Sequence, residues 1–272
     1  MFKTRCISAV FLVIIALVTL LMGGPVLALT LYAISMIAFF ELARACKIHT
    51  QVKCNALEAI CYLAITVYYG MMYAYLDDTL FVPWLIVFFF AVLFVYVFSF
   101  PKFTANQIMA AYFCVLYAPV MFSFIYKIRQ TSYGIYLVWM VFVASWVSDT
   151  FAYLTGMLFG RHKLAPVLSP KKSIEGSIGG IVGSALAGML FGYFFGLKIQ
   201  QGNAMIFICG IIGAVGSVIS QLGDLAASAI KRNHEMKDYG KLIPGHGGIM
   251  DRFDSVIVTA PMIYFLVIYL IH

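Results

Sequence analysis

Nine long apolar stretches follow one another along this chain and constrain its fold more than any other feature. They cover approximately residues 7–22, 25–44, 56–75, 79–100, 107–126, 133–159, 175–197, 203–225 and 254–271. A helix needs about 20 apolar residues to cross the hydrocarbon core of a bilayer, and each stretch has about this length. Only 11% of the residues are charged, whereas soluble domains carry about 25%. The sequence therefore predicts a membrane protein and excludes a water-soluble enzyme.

The predicted fold class is all-α, a polytopic bundle of about nine transmembrane helices. Within a bilayer the backbone must satisfy its own hydrogen bonds, and no stretch shows the alternation of a barrel strand. A cleaved signal peptide is the less favoured interpretation of the first stretch, because no polar spacer precedes the second. The six cysteines have no metal-type spacing and are interpreted as small apolar side chains.

The basic residues fall on alternate loops. If the N-terminus is cytoplasmic, the cytoplasmic loops hold all of the 18 lysines and arginines except Lys127, Arg129 and Lys198. This distribution follows the positive-inside rule and supports an odd number of spans. We therefore expect an integral multi-pass protein with its N-terminus in the cytoplasm.

The charged residues concentrate in the second half of the chain. Residues 149–254 hold 17 of the 29 charges. We therefore divide the chain into N-terminal transmembrane helices at 1–147 (five helices and most of the sixth) and a C-terminal region at 148–272 that carries the chemistry. Two cytoplasmic loops, at about 160–174 and 226–253, are the predicted centre of this region.

Four carboxylates lie in or at the edge of predicted spans. Asp149 lies within an apolar stretch, Asp224 near the end of the eighth stretch, and Asp251 and Asp254 at the start of the ninth. A spacing of three places the last two on one helix face. Carboxylates at membrane depth are costly and usually face a cavity that holds a partner. For Asp149 a functional role and an internally hydrogen-bonded packing role both remain open.

These carboxylates stand beside basic and glycine-rich segments, a combination that suits phosphate chemistry. Mg²⁺ prefers one or two carboxylates together with phosphate oxygens and water. The glycines around His246 let backbone N–H groups approach an anion. Lys171, Lys172 and Ser173 precede a span, so the helix N-terminus favours a second anion site there, although an ordinary basic flank is the alternative.

Small residues recur every fourth position in the seventh stretch, at Gly180, Ser184, Gly188, Gly192 and Gly196. Such a stripe lets another helix approach closely. We favour packing within the chain and keep a dimer seam as the alternative.

Three segments near the C-terminus form a long, position-specific pattern: 228–232 (SAIKR), 237–240 (KDYG) and 243–254 (IPGHGGIMDRFD). This pattern resembles the signature of the phosphatidate cytidylyltransferases, also called CDP-diacylglycerol synthases. The upstream segments 148–153 (SDTFAY) and 169–176 (SPKKSIEG) are similar to that family as well. The resemblance is specific over about 148–254, whereas the first half is similar only in being a series of spans.

The resemblance implies a Mg²⁺-dependent transfer of a cytidylyl group from CTP to phosphatidate, which gives CDP-diacylglycerol and pyrophosphate. Its implied metal ligands are Asp224, Asp251 and Asp254, and a second cation bridging the departing phosphates is compatible with the chemistry. Lys231 is an implied catalytic cation, and His246 either contacts phosphate as a general acid or orients the loop. The implied substrate-binding residues are Asp149, Lys171, Lys172, Ser173, Ser228, Arg232, Lys237, Asp238, Gly247, Gly248 and Arg252.

The expected partners are CTP, phosphatidate and the lipid bilayer, without nucleic acid, and the family suggests a homodimer. The family also favours a bacterial inner membrane and a role in phospholipid biosynthesis. Another membrane lipid-phosphate nucleotidyltransferase is the nearest alternative. A transporter is disfavoured because the two halves of the chain are unlike. The D-G-x2-A-R pattern of the CDP-alcohol phosphatidyltransferases does not occur.

Overall fold

The computed structural model describes residues 2–49, 53–75, 79–199, 202–243 and 247–271. These residues are largely helical. We number their long helices α1 (Phe2–Met22), α2 (Gly24–Ala45), α3 (Ala56–Tyr75), α4 (Phe81–Phe98), α5 (Ala105–Gln130), α6 (Gly134–Phe159), α7 (Ile174–Phe195), α8 (Ala204–Asn233) and α9 (Met250–Ile271).

Helices α2 to α9 are long and apolar enough to cross a membrane. Helix α1 has 21 residues, and its apolar part within the described side chains is Leu12–Met22. Because almost all of the described backbone is helical, its hydrogen bonds are satisfied within the helices, as a bilayer requires. The predicted fold class, a polytopic helical bundle, is confirmed.

Local sequence signals explain where several helices begin and where they deviate. The chain enters α2 through Gly23, which has a φ of 63°, and Pro25 lies in the first turn of that helix. Thr104 and Gln107 form a capping box at the start of α5. Within α5 a π-helical turn accommodates Pro119, which lacks the N–H that a regular helix needs.

The loop predicted at about 160–174 contains a small antiparallel hairpin. Strand β1 (Lys163–Ala165) pairs with strand β2 (Ser169–Ser173), so that Lys163 lies opposite Ser173. The sequence analysis did not predict these strands, because three and five residues are too few to show a clear alternation. The hairpin leads directly into α7, whose N-cap is Ser173.

The small-residue stripe on α7 packs against helices of the same chain. A methyl group at Gly188 would overlap the carbonyl oxygen of Cys209 in α8, and one at Gly192 would lie 2.5 Å from the carbonyl oxygen of Met205. Close backbone approach therefore depends on the missing side chains. The predicted intramolecular packing is confirmed, and nothing in this stripe indicates a dimer.

The chain divides into two compact units. The first unit extends to Tyr126 and also contains Met236–Arg252, and the second contains Lys127–Glu235 and the chain from Phe253 onwards. Helices α6, α7 and α8, the hairpin and most of α9 belong to the second unit. The division at residue 148 that we drew for the chemistry stays a prediction.

Candidate active site

The second unit contains a pocket of about 430 Å³ between α6, α7, α8 and the hairpin. The hairpin and α8 contribute most of its charged side chains, whereas α6 contributes mainly apolar ones in addition to Asp149. The lining residues are Asp149, Ala152, Tyr153, Gly156, Met157, Leu164, Ser169, Lys171, Lys172, Ser173, Gly176, Ser177, Gln221 and Asp224.

An ion pair joins the hairpin to α8 at this pocket. The ammonium of Lys172, on β2, contacts Oδ2 of Asp224, and both side chains are about one-quarter to one-third exposed (26% and 30%). A pair that is partly withdrawn from water interacts more strongly than one on an open surface. This contact places the predicted anion-binding segment next to a predicted metal ligand.

Two further carboxylates interact with this pair. Asp149, on α6, interacts electrostatically with Asp224 and Lys172. Asp254, on α9, interacts with Asp224, Asp149 and Lys231. Three helices therefore contribute one carboxylate each, and two lysines offset part of the negative charge. Such a cluster favours a bound cation.

A chain of hydrogen bonds starts at the pocket wall, which includes Ser177 and Gln221. Ser177, on α7, donates to Oε1 of Gln221, and the amide nitrogen of Gln221 donates to the Ser177 carbonyl at 3.1 Å and to Oγ of Ser217 at 3.3 Å. Ser217 and Ser148 share a hydrogen bond of 2.6 Å. The sequence analysis missed this network, because isolated serines in apolar helices carry no distinctive spacing. These hydrogen bonds link α6, α7 and α8 to one another beside Asp149.

The base of the hairpin is fastened by Glu175, in the first turn of α7. Its carboxylate accepts hydrogen bonds from the backbone N–H groups of Arg161 (3.0 Å) and His162 (3.2 Å), and it contacts Nδ1 of His162 at 2.6 Å. Ser173 accepts from the N–H of Gly176 at 3.1 Å and caps the same helix. Glu175 and Ser173 thereby fix the strand that carries Lys171 and Lys172.

Asp251 belongs to the first unit and organises its own surroundings. Its Oδ2 accepts hydrogen bonds from the N–H groups of Tyr239 (2.8 Å) and Gly248 (3.0 Å). Gly247, with a φ of 86°, lets the chain turn against this carboxylate. In addition to its predicted metal role, Asp251 therefore holds the backbone of the glycine-rich motif.

A second carboxylate contacts the same motif, and the sequence analysis missed it. Glu41, on α2, accepts hydrogen bonds from Ile249 N–H (3.1 Å) and Met250 N–H (2.9 Å) and is only 3% exposed. Nearby Arg44 donates to the carbonyl oxygen of Tyr239. The only signal for Glu41 in the sequence was its spacing of three from Arg44, at the end of the second apolar stretch.

The predicted site residues divide between the two units. The pocket and its surroundings bring together Asp149, Lys171, Lys172, Ser173, Asp224, Ser228, Lys231 and Asp254 in the second unit, which also contains the exposed Arg232. The first unit contains Lys237, Asp238, Gly247, Gly248, Asp251 and Arg252. His246 lies outside the described residues.

The oxygen donors present suit Mg²⁺. Among the residues that the structure describes, no three His, Cys, Asp or Glu side chains form a ready metal-binding set. Mg²⁺ does not need one, because one or two carboxylates, substrate phosphates and waters complete its coordination. Asp224 and Asp254 supply such carboxylates, and their mutual repulsion would be relieved by a cation.

The fold thus defines a class of protein, a polytopic helical membrane protein with a charged pocket between its helices. Comparison with known sequences gives the family. Residues 3–270 match the cytidylyltransferase family. The chain is 34% identical to the phosphatidate cytidylyltransferases of Staphylococcus haemolyticus and Staphylococcus saprophyticus, over 98% of this chain and 99% of each relative. That of Staphylococcus aureus is also 34% identical over the same shares.

The chain belongs to the cytidylyltransferase family. It is a CTP-dependent nucleotidyltransferase and a multi-pass protein of a bacterial membrane. The resemblance drawn from the C-terminal motifs is confirmed, and the similarity extends over the first half of the chain as well. The N-terminal helices therefore belong to the enzyme's shared architecture.

Proposed function

We propose that this enzyme transfers the cytidylyl group of CTP to phosphatidate and forms CDP-diacylglycerol and pyrophosphate for phospholipid biosynthesis. The observation that carries the proposal is the Lys172–Asp224 pair at a pocket between membrane helices. The three staphylococcal relatives, which are named for this activity, support the same substrate pair.

The apolar wall of the pocket supports a lipid acceptor. Tyr153 and Met157 line the pocket on α6 and are 69% and 62% exposed. In a bilayer such side chains face hydrocarbon, so a lipid could keep its acyl chains along α6 while its phosphate reaches Lys172. CTP, which is charged and water-soluble, would approach from the polar side of the hairpin.

The reaction that we propose is an in-line displacement. A phosphate oxygen of phosphatidate forms a bond to the α-phosphorus of CTP, and the bond from this phosphorus to the bridging oxygen of the β-phosphate breaks. The lipid phosphate is already ionised at neutral pH, so no strong base is required. Lys172, Lys171 and Lys231 would position the two anions and offset their repulsion, which is the main contribution of proteins to such transfers.

We further propose that the reaction depends on Mg²⁺ held by Asp224 and Asp254, which both belong to the second unit. The metal role of Asp251 stays a prediction. When bound, Mg²⁺ would neutralise charge on the phosphate oxygens. Asp149 would adjust the charge of the cluster, and Ser228, whose hydroxyl lies 3.5 Å from Oδ1 of Asp224, would orient that carboxylate.

The motif residues of the first unit keep their predicted roles. Lys237, Asp238 and Arg252 are exposed, which suits a role in substrate binding. A cytoplasmic N-terminus, an inner-membrane location and a homodimer remain part of the proposal. A dimer would need a face other than the α7 stripe, which packs within the chain.

The test is conversion of radiolabelled CTP by the purified protein in detergent, with Mg²⁺ or with EDTA. We expect a labelled lipid from phosphatidate but none from diacylglycerol, which lacks the nucleophilic phosphate. Polyprenyl phosphate is the matched competitor acceptor. Product from polyprenyl phosphate alone would assign the enzyme to another lipid phosphate, and equal product with EDTA would contradict the role of Mg²⁺.

A further inference from the structure

We propose that Glu41 is a positioning residue, which acts from α2 to fix the start of α9 and the Met236–Arg252 segment for the transfer reaction. The inference rests on the proposed function, because it assigns Glu41 to the machinery that presents Asp251 and Asp254. Glu41 lies outside every motif that predicted the site.

The first argument is the position of the carboxylate at a helix start. Oε1 and Oε2 of Glu41 accept from the N–H groups of Ile249 and Met250, at 3.1 Å and 2.9 Å, where α9 begins. The first N–H groups of a helix have no partner within the helix, and a negative charge there is stabilised by the helix dipole. A residue 208 positions away in the sequence thus caps α9.

The second argument is the space made for this carboxylate. A methyl group at Gly240 or at Gly248 would overlap the Glu41 carboxylate. Two glycines from different parts of the Met236–Arg252 segment therefore leave room for one side chain of α2. Because both are held against the same carboxylate, Glu41 fixes the distance between them.

The third argument is charge. Glu41 is 3% exposed and interacts electrostatically with Asp251, which has the same charge, and with Arg44, which has the opposite charge. Burying two carboxylates close together is unfavourable unless both are hydrogen-bonded. Glu41 accepts hydrogen bonds from the N–H groups of residues 249 and 250, and Asp251 accepts from those of residues 239 and 248. The two carboxylates therefore bind four backbone N–H groups of the segment.

The consequence concerns the residues that follow. Asp251 and Asp254 lie in the first turns of α9, whose start is set by Glu41. A small displacement of a reacting group lowers the rate of a transfer reaction strongly. Glu41 therefore influences turnover without touching the substrate.

The test begins with Glu41→Gln, which keeps the shape of the side chain but points an NH₂ group at an N–H donor. We expect turnover to fall about tenfold to 100-fold, in line with the loss of a hydrogen bond to a charged group. We also expect faster hydrogen–deuterium exchange in peptides from the Met236–Arg252 segment. Glu41→Asp, which retains the charge on a shorter side chain, should restore part of the turnover.

The matched control is Glu58→Gln. Glu58 is another buried carboxylate of the first unit; it accepts from Asn55 N–H at 2.9 Å and contacts His49 at 2.6 Å. This variant should lose similar thermal stability in detergent but keep near-normal turnover and unchanged exchange in the Met236–Arg252 segment. An equal loss of turnover in both variants would reduce Glu41 to a general structural role and overturn the proposal.

A double-mutant cycle tests whether Gly248 leaves the space that the Glu41 carboxylate occupies. Gly248→Ala should lower turnover because its methyl group displaces the Glu41 carboxylate. In a Glu41→Ala background the same change should have little further effect, since coupled residues are not additive. Fully multiplicative effects would contradict the proposal, as would wild-type exchange in Glu41→Gln. The exchange measurement needs no substrate, so it distinguishes a failure of this inference from a failure of phosphatidate as acceptor.

Discussion

Lys172 on strand β2 forms an ion pair with Asp224 on helix α8. The two residues belong to separate sequence motifs, and their contact makes one polar wall of the pocket. It also explains why a short hairpin precedes α7: the hairpin presents a cation to a carboxylate of a membrane helix.

Lys172→Ala should lower turnover by about 30-fold or more, because truncation of one partner leaves a charge unpaired in a partly buried site. Lys172→Arg should retain more activity, although the guanidinium group has a different shape. Turnover at saturating CTP and phosphatidate measures the effect. Lys198→Ala is the control, since Lys198 contacts the rings of Tyr136 and Phe195 and not the pocket; a comparable loss there would argue against a specific role for Lys172.

Asp254→Asn should raise the Mg²⁺ concentration needed for half-maximal activity, because it weakens a proposed metal ligand. Extra Mg²⁺ should restore part of the activity of this variant but not that of Arg252→Ala, whose side chain is assigned to an anion. The measurement is a Mg²⁺ titration of turnover for both variants. Equal restoration of both would contradict this division of roles.

Asp251→Asn and Asp254→Asn should both lower turnover, but only Asp251→Asn should loosen the backbone of the Met236–Arg252 segment. Asp251 accepts two backbone hydrogen bonds through Oδ2, so its variant should increase hydrogen–deuterium exchange in the Met236–Arg252 segment. Asp254 accepts from the N–H of the adjacent Ser255 in its own helix, and its variant should leave that exchange unchanged. If both variants showed the same exchange as the wild type, the structural role of Asp251 would be wrong.

Glu175→Gln should weaken substrate binding, with little loss of overall stability. Its carboxylate holds the base of the hairpin through Arg161 and His162, so its loss loosens the strand that carries Lys172. We expect a higher KM for one or both substrates and faster exchange in peptides covering the hairpin. His162→Ala removes only the imidazole contact to Glu175, leaves the backbone N–H bonds in place and should have a smaller effect. A larger effect would assign the role to the imidazole instead.

Gly188→Val should destabilise the second unit, because the added side chain would overlap the backbone of α8 at Cys209. Overpacking of this kind costs about 1–3 kcal/mol. Thermal unfolding in detergent measures the loss. Gly70→Ala is the control in α3, where a methyl group would meet no atom within 4 Å, and it should leave the unfolding temperature unchanged or higher.

The spans and most of the proposed site could be predicted because their signals are local. A run of about 20 apolar residues must form a helix in lipid, whatever surrounds it. The positions of Asp224, Asp251 and Asp254 were evident because carboxylates stand out in apolar sequence. The hairpin was missed because its strands are short, and the network from Ser148 to Gln221 because its members have no common spacing.

The sequence by itself determined that this chain is a helical membrane protein and which motif residues are the candidates for its chemistry, since hydropathy and residue type act over short distances along the chain. Only the tertiary structure decided which of these residues meet. It joined Lys172 to Asp224, assembled Asp149 with Asp254, and inserted Glu41 between Gly240 and Gly248. Such contacts depend on how helices far apart in sequence pack, and the space that they require is set by side chains and glycines on several helices at once.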